Sequence, residues 1–192
     1  MKKAREGGDV KKSGIRRSVA REIAYIALSV SLITVCAWIS FPVMQVPITL
    51  QTLAVALIGA LMGWKRGLAA IFVYILMGLI GIPVFSRFNS GVGALFGPTG
   101  GYIFGFLFLA LVPALCKYIP LKNKWGRAGI FFAASVVGET LCYLFGTVWF
   151  ILMYHCTLEY ALAACVVPFI VPDLVKFVVA AALAARLEKY VK

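Results

Sequence analysis

Asp173 and Lys176, in the stretch PFIVPDLVK, stand three residues apart in a chain where charge is scarce. At helical spacing the two project from one face. Pro172 suits a helix start, which puts the Asp173 carboxylate in a first turn, where the helix dipole favours it. An ammonium beside a carboxylate at the mouth of a pocket can meet an anionic ligand group with Lys176, while Asp173 accepts hydrogen bonds from ligand N–H donors. The same spacing also describes a capping Asp with a neighbouring Lys in a solvated mouth. A third ionisable residue, Glu139 in SVVGETLCYLF, lies inside an apolar run, where charge is costly and tends to be functional. It fits a proton relay, a ligand group, a partner for a cation on another helix or a structural polar contact, and its position alone does not select among them.

A second source of chemistry is the glycine-rich stretch SRFNSGVGALFGPTGGYIFGF, residues 86–106. Glycine-rich turns cradle phosphates, but a phosphate loop needs GxxxxGK[ST], whose lysine reaches the phosphates. GALFGPTGGY has no lysine, and GALMGWKR at Gly59 lacks the GK[ST] ending. What glycine also permits is close approach of backbone to a ligand or a neighbouring helix. Within this stretch Asn89 offers donor and acceptor groups, Arg87 a cation, and Tyr102 an aromatic body with a polar tip. A flexible turn is the plainer alternative. Metal chemistry has little to stand on. Cys36, Cys116, Cys142, Cys156 and Cys165 are scattered without CxxC spacing, and His155 is the sole histidine, whereas zinc takes about four ligands at local spacing. The cysteines read as small apolar fillers, and no cofactor is implied.

These residues sit in a chain of 192 residues that is 62% hydrophobic and 14% charged, with a mean hydropathy of +0.97. Soluble domains carry roughly 25% charged residues, so the bilayer must be the solvent and the fold class is an all-α polytopic membrane protein. Six apolar runs are expected to span, at 19–40, 46–62, 68–82, 102–115, 128–153 and 172–191. Helices are the only plausible spans for them, because lipid leaves backbone groups no other partner. The third and fourth are short against the 17–25 residues a span needs. Residues 1–18 form a basic tail ahead of a six-helix domain at 19–192.

The net charge of +12 would suit nucleic acid, but its placement argues against that partner. Every Lys and Arg except Arg87 and Lys176 falls on the side of the N-terminus, in the tail, after the second and fourth runs, or at the C-terminus. Cations collect on the cytoplasmic side, so both termini are expected inside. The outward loops are then 40–48, 83–101 and 154–171, the last apolar enough to hold a short surface or re-entrant helix. The basic start could begin a cleaved signal, but no A-x-A-like site follows the first run, which reads as a retained helix. On that helix Ala20-xxx-Ala24 and Ala27-xxx-Ser31 make a small-residue face, and Gly59-xxx-Gly63 a second one. Such faces serve close packing within a chain or against a partner membrane protein.

Three stretches, VPITLQT (46–52), GIPVFSRFNSGVGALFGPTGGYIFGF (81–106) and PFIVPDLVK (168–176), resemble the signature segments of the BioY family. These are biotin-specific substrate-binding S components of energy-coupling-factor (ECF) transporters. The resemblance covers nearly the whole chain, and the block from PVF to GGY is its specific part. It implies a bacterial protein of the cytoplasmic membrane that captures biotin on its outer side. Delivery would run through a transmembrane T component and two ABC-type ATPases, in contact with membrane lipid, which places ATP chemistry outside this chain. The family's ligand-contacting positions match Asn89, Asp173 and Lys176, and its alanine face toward the T component matches Ala20 and Ala24. The resemblance departs at Ile103, where some members carry a basic residue after GGY. Lys176, helped by Arg87, is then left for a ligand carboxylate.

Biotin offers a ureido ring with two N–H donors and one acceptor, an apolar thiophane ring and a carboxylate tail. Asn89 and Asp173 suit the N–H groups, Lys176 the ureido oxygen or the carboxylate, and Tyr102 and Phe85 the ring system. Two other readings compete. One is an S component for another vitamin such as thiamine. The other is an intramembrane serine protease using Ser90 with His155, but a GxSG pattern is absent, and a serine nucleophile needs a base oriented toward it. Binding and transport, not enzymatic catalysis, is the expectation.

Overall fold

The structure, a computed structural model, describes residues 2–42, 46–120 and 123–191, with side chains from Val19 onward. The side chains of the basic tail (1–18), Lys122 and Lys192 therefore lie outside the described residues. In chain order the elements are α1 (Lys2–Trp38), β1 (Ser40–Phe41), β2 (Ile48–Thr49), α2 (Gln51–Leu79), α3 (Val92–Leu95), α4 (Gly100–Cys116), α5 (Lys124–Tyr154), α6 (Leu158–Cys165) and α7 (Val167–Leu187). Short 3-10 turns follow at Ser86–Phe88 and Glu188–Tyr190. The two strands pair antiparallel, Ser40 with Thr49 and Phe41 with Ile48.

Four stretches are long and apolar enough to cross a membrane by length and composition: Val19–Trp38, Gln51–Leu79, Lys124–Tyr154 and Leu158–Tyr190. Gly100–Cys116 is a shorter apolar helix. The second of these is not one rod. Gly63 has φ 73° and ψ 174°, a left-handed, non-helical conformation open to glycine and strained for other residues. The amide of Gln51 donates to the hydroxyl of Tyr74 at 2.6 Å, although 23 residues of continuous helix would hold them about 35 Å apart. Gly67 likewise lies against Gly59, within 3.7 Å of its Cα for a Cβ placed there. The chain doubles back at Gly63, so α2 is an antiparallel hairpin with arms at 51–62 and 64–79. These arms are the expected second and third apolar runs. Gly63 is thus an elbow and not part of a helical small-residue face.

Gly59 does serve close packing, within the chain. A Cβ there would stand 2.3 Å from the Ala110 carbonyl oxygen, so the first arm of α2 lies on α4 nearly backbone to backbone. Helix α4 packs between α2 and α5, and α7 closes the group against α2 and α5. Tyr74, Ile71, Leu109, Phe131, Phe150 and Phe177 fill the interior. The outer surface stays apolar, with Leu28, Ile80, Leu144 and Val171 all exposed, as expected where the surrounding solvent is hydrocarbon.

The ends are tied by charge. Arg66 donates to Glu22 through two nitrogens, at 2.6 and 2.5 Å, joining α2 to α1. Arg127 donates to Glu188 and to the carbonyls of Lys117 and Ile119, joining α5 to the end of α4 and to the C-terminal turn. The α4–α5 and C-terminal connections thereby meet at one guanidinium. Asn123 caps α5, accepting from the Trp125 N–H at 3.1 Å, and Thr157 caps α6, accepting from the Tyr160 N–H at 3.4 Å. Helix α6 fills the position expected for a short helix in the 154–171 segment. The start of α7 differs from expectation. It begins at Val167 with Pro168 in its first turn, so Pro172 is inside the helix and Asp173 is in the second turn.

Candidate functional site

Asp173 and Lys176 are buried, 3% and 7% exposed, and face each other one turn apart on α7. Lys176 Nζ donates to Asp173 Oδ1 at 2.7 Å. Thr52, at the start of α2, donates its hydroxyl to the same oxygen at 2.8 Å and accepts from Lys176 Nζ at 3.3 Å. Tyr143 on α5 donates its hydroxyl to Asp173 Oδ2. Three helices thus converge on one carboxylate, and the ammonium neutralises it. A charge pair taken out of water is tolerable only with such saturation. The solvated capping pair that spacing alone allowed is therefore not what is found.

The cluster is one wall of a cavity whose non-atom space, open mouth included, is about 650 Å³. Its polar side comprises Gln51, Thr52, Glu139, Tyr143, Asp173 and Lys176. The apolar side comes from Phe85 before the 3-10 turn, Ile103 and Phe106 of α4, and Phe169 of α7. Tyr102 contributes its ring, its hydroxyl sharing a 3.2 Å hydrogen bond with Thr147 of α5. Val46, Pro47 and Thr49, next to and within β2, border the same space. An apolar enclosure with a few convergent polar groups is the usual form of a small-molecule site.

Two devices hold the loops against this cavity. Trp38, at the end of α1, donates its indole N–H to the Pro83 carbonyl at 2.9 Å and stacks on Phe88 at 5.0 Å. Trp149 of α5 donates to the Gly97 carbonyl at 2.9 Å. The 3-10 turn between them is tight: Arg87 and Phe88 both adopt positive φ, 57° and 58°. Side chains in that region carry strain of order 1–3 kcal/mol each and persist only when neighbours enforce it.

Of the residues expected at the site, Asp173, Lys176, Tyr102 and Phe85 line the cavity together. Asn89 and Arg87 do not: both are exposed and neither lines the cavity. The Asn89 side chain accepts from the Ser90 N–H at 2.9 Å, and its carbonyl accepts from the Phe85 N–H at 3.1 Å. Asn89 here shapes the loop that carries Phe85. With Arg87 outside, Lys176 is the cation at the cavity wall. Ala20, Ala24, Ala27 and Ser31 are all exposed, so this face of α1 is turned away from the other described helices. Ser90 and His155 share no hydrogen bond among the described residues, and His155 is an exposed left-handed residue ending α5.

Thr52, Tyr143 and Gln51 belong to the site without having been singled out. Thr52 and Gln51 lie in VPITLQT, and Tyr143 lies four residues from Glu139, on the same helix face. Glu139 is itself 4% exposed and its Oε2 has no hydrogen-bond partner among the described residues.

The chain is similar along most of its length to known proteins. A biotin transporter BioY of Thermotoga maritima is 39% identical over 170 residues, covering 88% of this chain and 96% of its own. A probable biotin transporter BioY of Pyrococcus horikoshii is 37% identical over 169 residues, covering 88% and 97%. The crystal structure of an S-component for biotin from an ECF-type ABC transporter superposes with a TM-score of 0.79 at 25% identity, covering 90% of this chain and 93% of the other. The family model of BioY matches residues 4–192, from the first helix through the Asp173–Lys176 pair to the C-terminus, and the chain belongs to the BioY family.

Proposed function

We propose that this chain captures biotin as the S component of an ECF transporter and serves its uptake across the cytoplasmic membrane of a bacterium. The observation that carries the reading is the buried Asp173–Lys176 pair, saturated by Thr52 and Tyr143, on the wall of a mostly apolar cavity. The relatives named as biotin transporters and the biotin S-component support the choice of ligand. The apolar side of the cavity suits the thiophane ring, and the polar wall suits the ureido group. Asp173 and Lys176 bind there, with Tyr102 and Phe85 enclosing the rings. Asn89 and Arg87 act from the rim, where the turn at 86–88 meets solvent.

The chain crosses the membrane six times, through α1, the two arms of α2, α4, α5 and α7, with both termini cytoplasmic. The elbow at Gly63 supports this count, and the cations flanking Gly63 and the α4–α5 connection support the orientation. Residues 1–18 are a basic cytoplasmic extension of the six-helix domain. Ala20 and Ala24 meet a transmembrane T component, which is coupled to two ABC-type ATPases.

The test is titration of the purified full chain with biotin, desthiobiotin, lipoate and thiamine by calorimetry. Saturable binding of biotin in preference to lipoate and thiamine is expected. Binding of thiamine with no response to biotin would overturn the reading.

A further inference from the structure

We infer that Glu139 is a specificity-determining residue, whose carboxyl accepts an N–H of the ligand's cyclic urea. The inference rests on the reading of the cavity as a biotin site and assigns a group that reading leaves over. Three donors already converge on Asp173, from Lys176, Thr52 and Tyr143. A carboxylate has about four acceptor sites, so Asp173 has little left to offer a ligand. Thr52 gives its hydrogen to Asp173, and Gln51 donates to Tyr74. Glu139 is the contrasting case. It is 4% exposed, lines the same cavity, and its Oε2 is unpartnered among the described residues. A buried polar atom without a partner is costly, because it has given up its water for nothing. It is retained where something else completes it.

The remaining capacities define what completes it. Lys176 has three N–H donors, of which two are committed to Asp173 and Thr52. The wall therefore presents a spare cationic donor and, at Glu139 Oε2, a buried acceptor without a partner among the described residues. A cyclic urea presents the complement, a carbonyl oxygen flanked by N–H. Lys176 takes the oxygen and Glu139 takes one N–H, while Asp173 holds Lys176 in place and keeps one acceptor site for the other N–H. The carboxylate tail of the ligand is then directed away from this wall.

The probes are biotin and its two lactam analogues, in each of which one ureido N–H is replaced by CH2, titrated against the full chain in detergent. The parent chain is expected to bind one lactam about tenfold or more weakly than biotin, as when a buried acceptor loses its donor. Glu139→Leu is expected to weaken biotin by a similar factor and to shrink the biotin-to-lactam ratio to below about threefold, because the acceptor that reads the N–H is gone. Glu139→Gln, which keeps the shape and a neutral acceptor, should fall between the two and guards against loss of fold in the leucine variant. Biotin binding at parental strength in both variants, or an unchanged lactam ratio, overturns the assignment. A parent chain that does not bind biotin at all would instead overturn the reading of the cavity.

Discussion

The side-chain amide of Gln51 donates to the hydroxyl of Tyr74 at 2.6 Å, and that hydroxyl donates to the Val84 carbonyl at 3.0 Å. Two arms of one hairpin and the entry to the glycine-rich loop are joined by this chain of bonds. Tyr74→Phe leaves the Val84 carbonyl and the Gln51 amide in a buried setting without their partner. A loss of about 1–3 kcal/mol is expected for such orphaned groups, read as a lowered unfolding temperature of the ligand-free chain. An unchanged melting temperature would show that water or another group replaces the hydroxyl.

Stability and binding should separate at the ion pair. Lys176→Met leaves the Asp173 carboxylate buried beside Thr52 and Tyr143 without its cation, and breaking one side of a buried pair costs about 3–5 kcal/mol. The double variant Lys176→Met with Asp173→Leu removes both charges and is expected to recover most of that loss. Neither variant should bind biotin. A double variant no more stable than the single one, measured by thermal unfolding, would contradict the pairing.

Milder changes test the same pair through the ligand. Lys176→Ala and Asp173→Asn are each expected to weaken biotin by at least about tenfold, or ~1.4 kcal/mol. The first removes the spare donor and the second loosens the anchor that aims it. Calorimetric titration decides, and affinity equal to the parent in either would remove that residue from the site.

Phe85 reaches the cavity by resting on a bare stretch of helix. A Cβ at Gly78 would lie 2.0–2.5 Å from three atoms of the Phe85 ring, while the ring meets Tyr74 edge-on at 5.4 Å. Gly78→Val should displace Phe85 and weaken biotin, with a larger effect than Gly93→Ala, where a Cβ meets nothing within 4 Å. Equal affinities for the two variants would count against the packing role of Gly78.

Ala20→Leu with Ala24→Leu tests the exposed face of α1. Both positions are remote from the cavity lining, so biotin affinity of the isolated chain should stay within about twofold. Uptake of labelled biotin by cells carrying the whole transporter should fall. Uptake at the parental level with both leucines in place would move the partner contact elsewhere.

Much of this organisation was legible because hydrophobicity and charge act over whole segments. The runs at 102–115 and 128–153 lie within α4 and α5, and the basic WKR beside Gly63 marked the place where α2 turns. What was less legible depends on single backbone choices. Pro168 and Pro172 are both acceptable near a helix start, and α7 uses the first while tolerating the second inside. The two-residue strands are too short to show a period-two pattern. Asn89 has the chemistry for a ligand contact, but its direction is decided by positive φ at Arg87 and Phe88, neither of them a glycine that would announce it. Thr52 and Tyr143 became visible as partners of Asp173 only once three helices were brought together.

The elbow at Gly63 works as a rotational index for the site. Gln51 meets Tyr74 and Gly59 meets Gly67 because both pairs count outward from one residue. Each residue of helix turns its successor by about 100°. One residue inserted between Gly63 and Gly67 would swing Tyr74 off Gln51 and Gly78 off Phe85, with every cavity-lining side chain unchanged in type. The wall of the ligand site is thus dialled from the far end of the hairpin, by the length of the turn rather than by any group that touches the ligand.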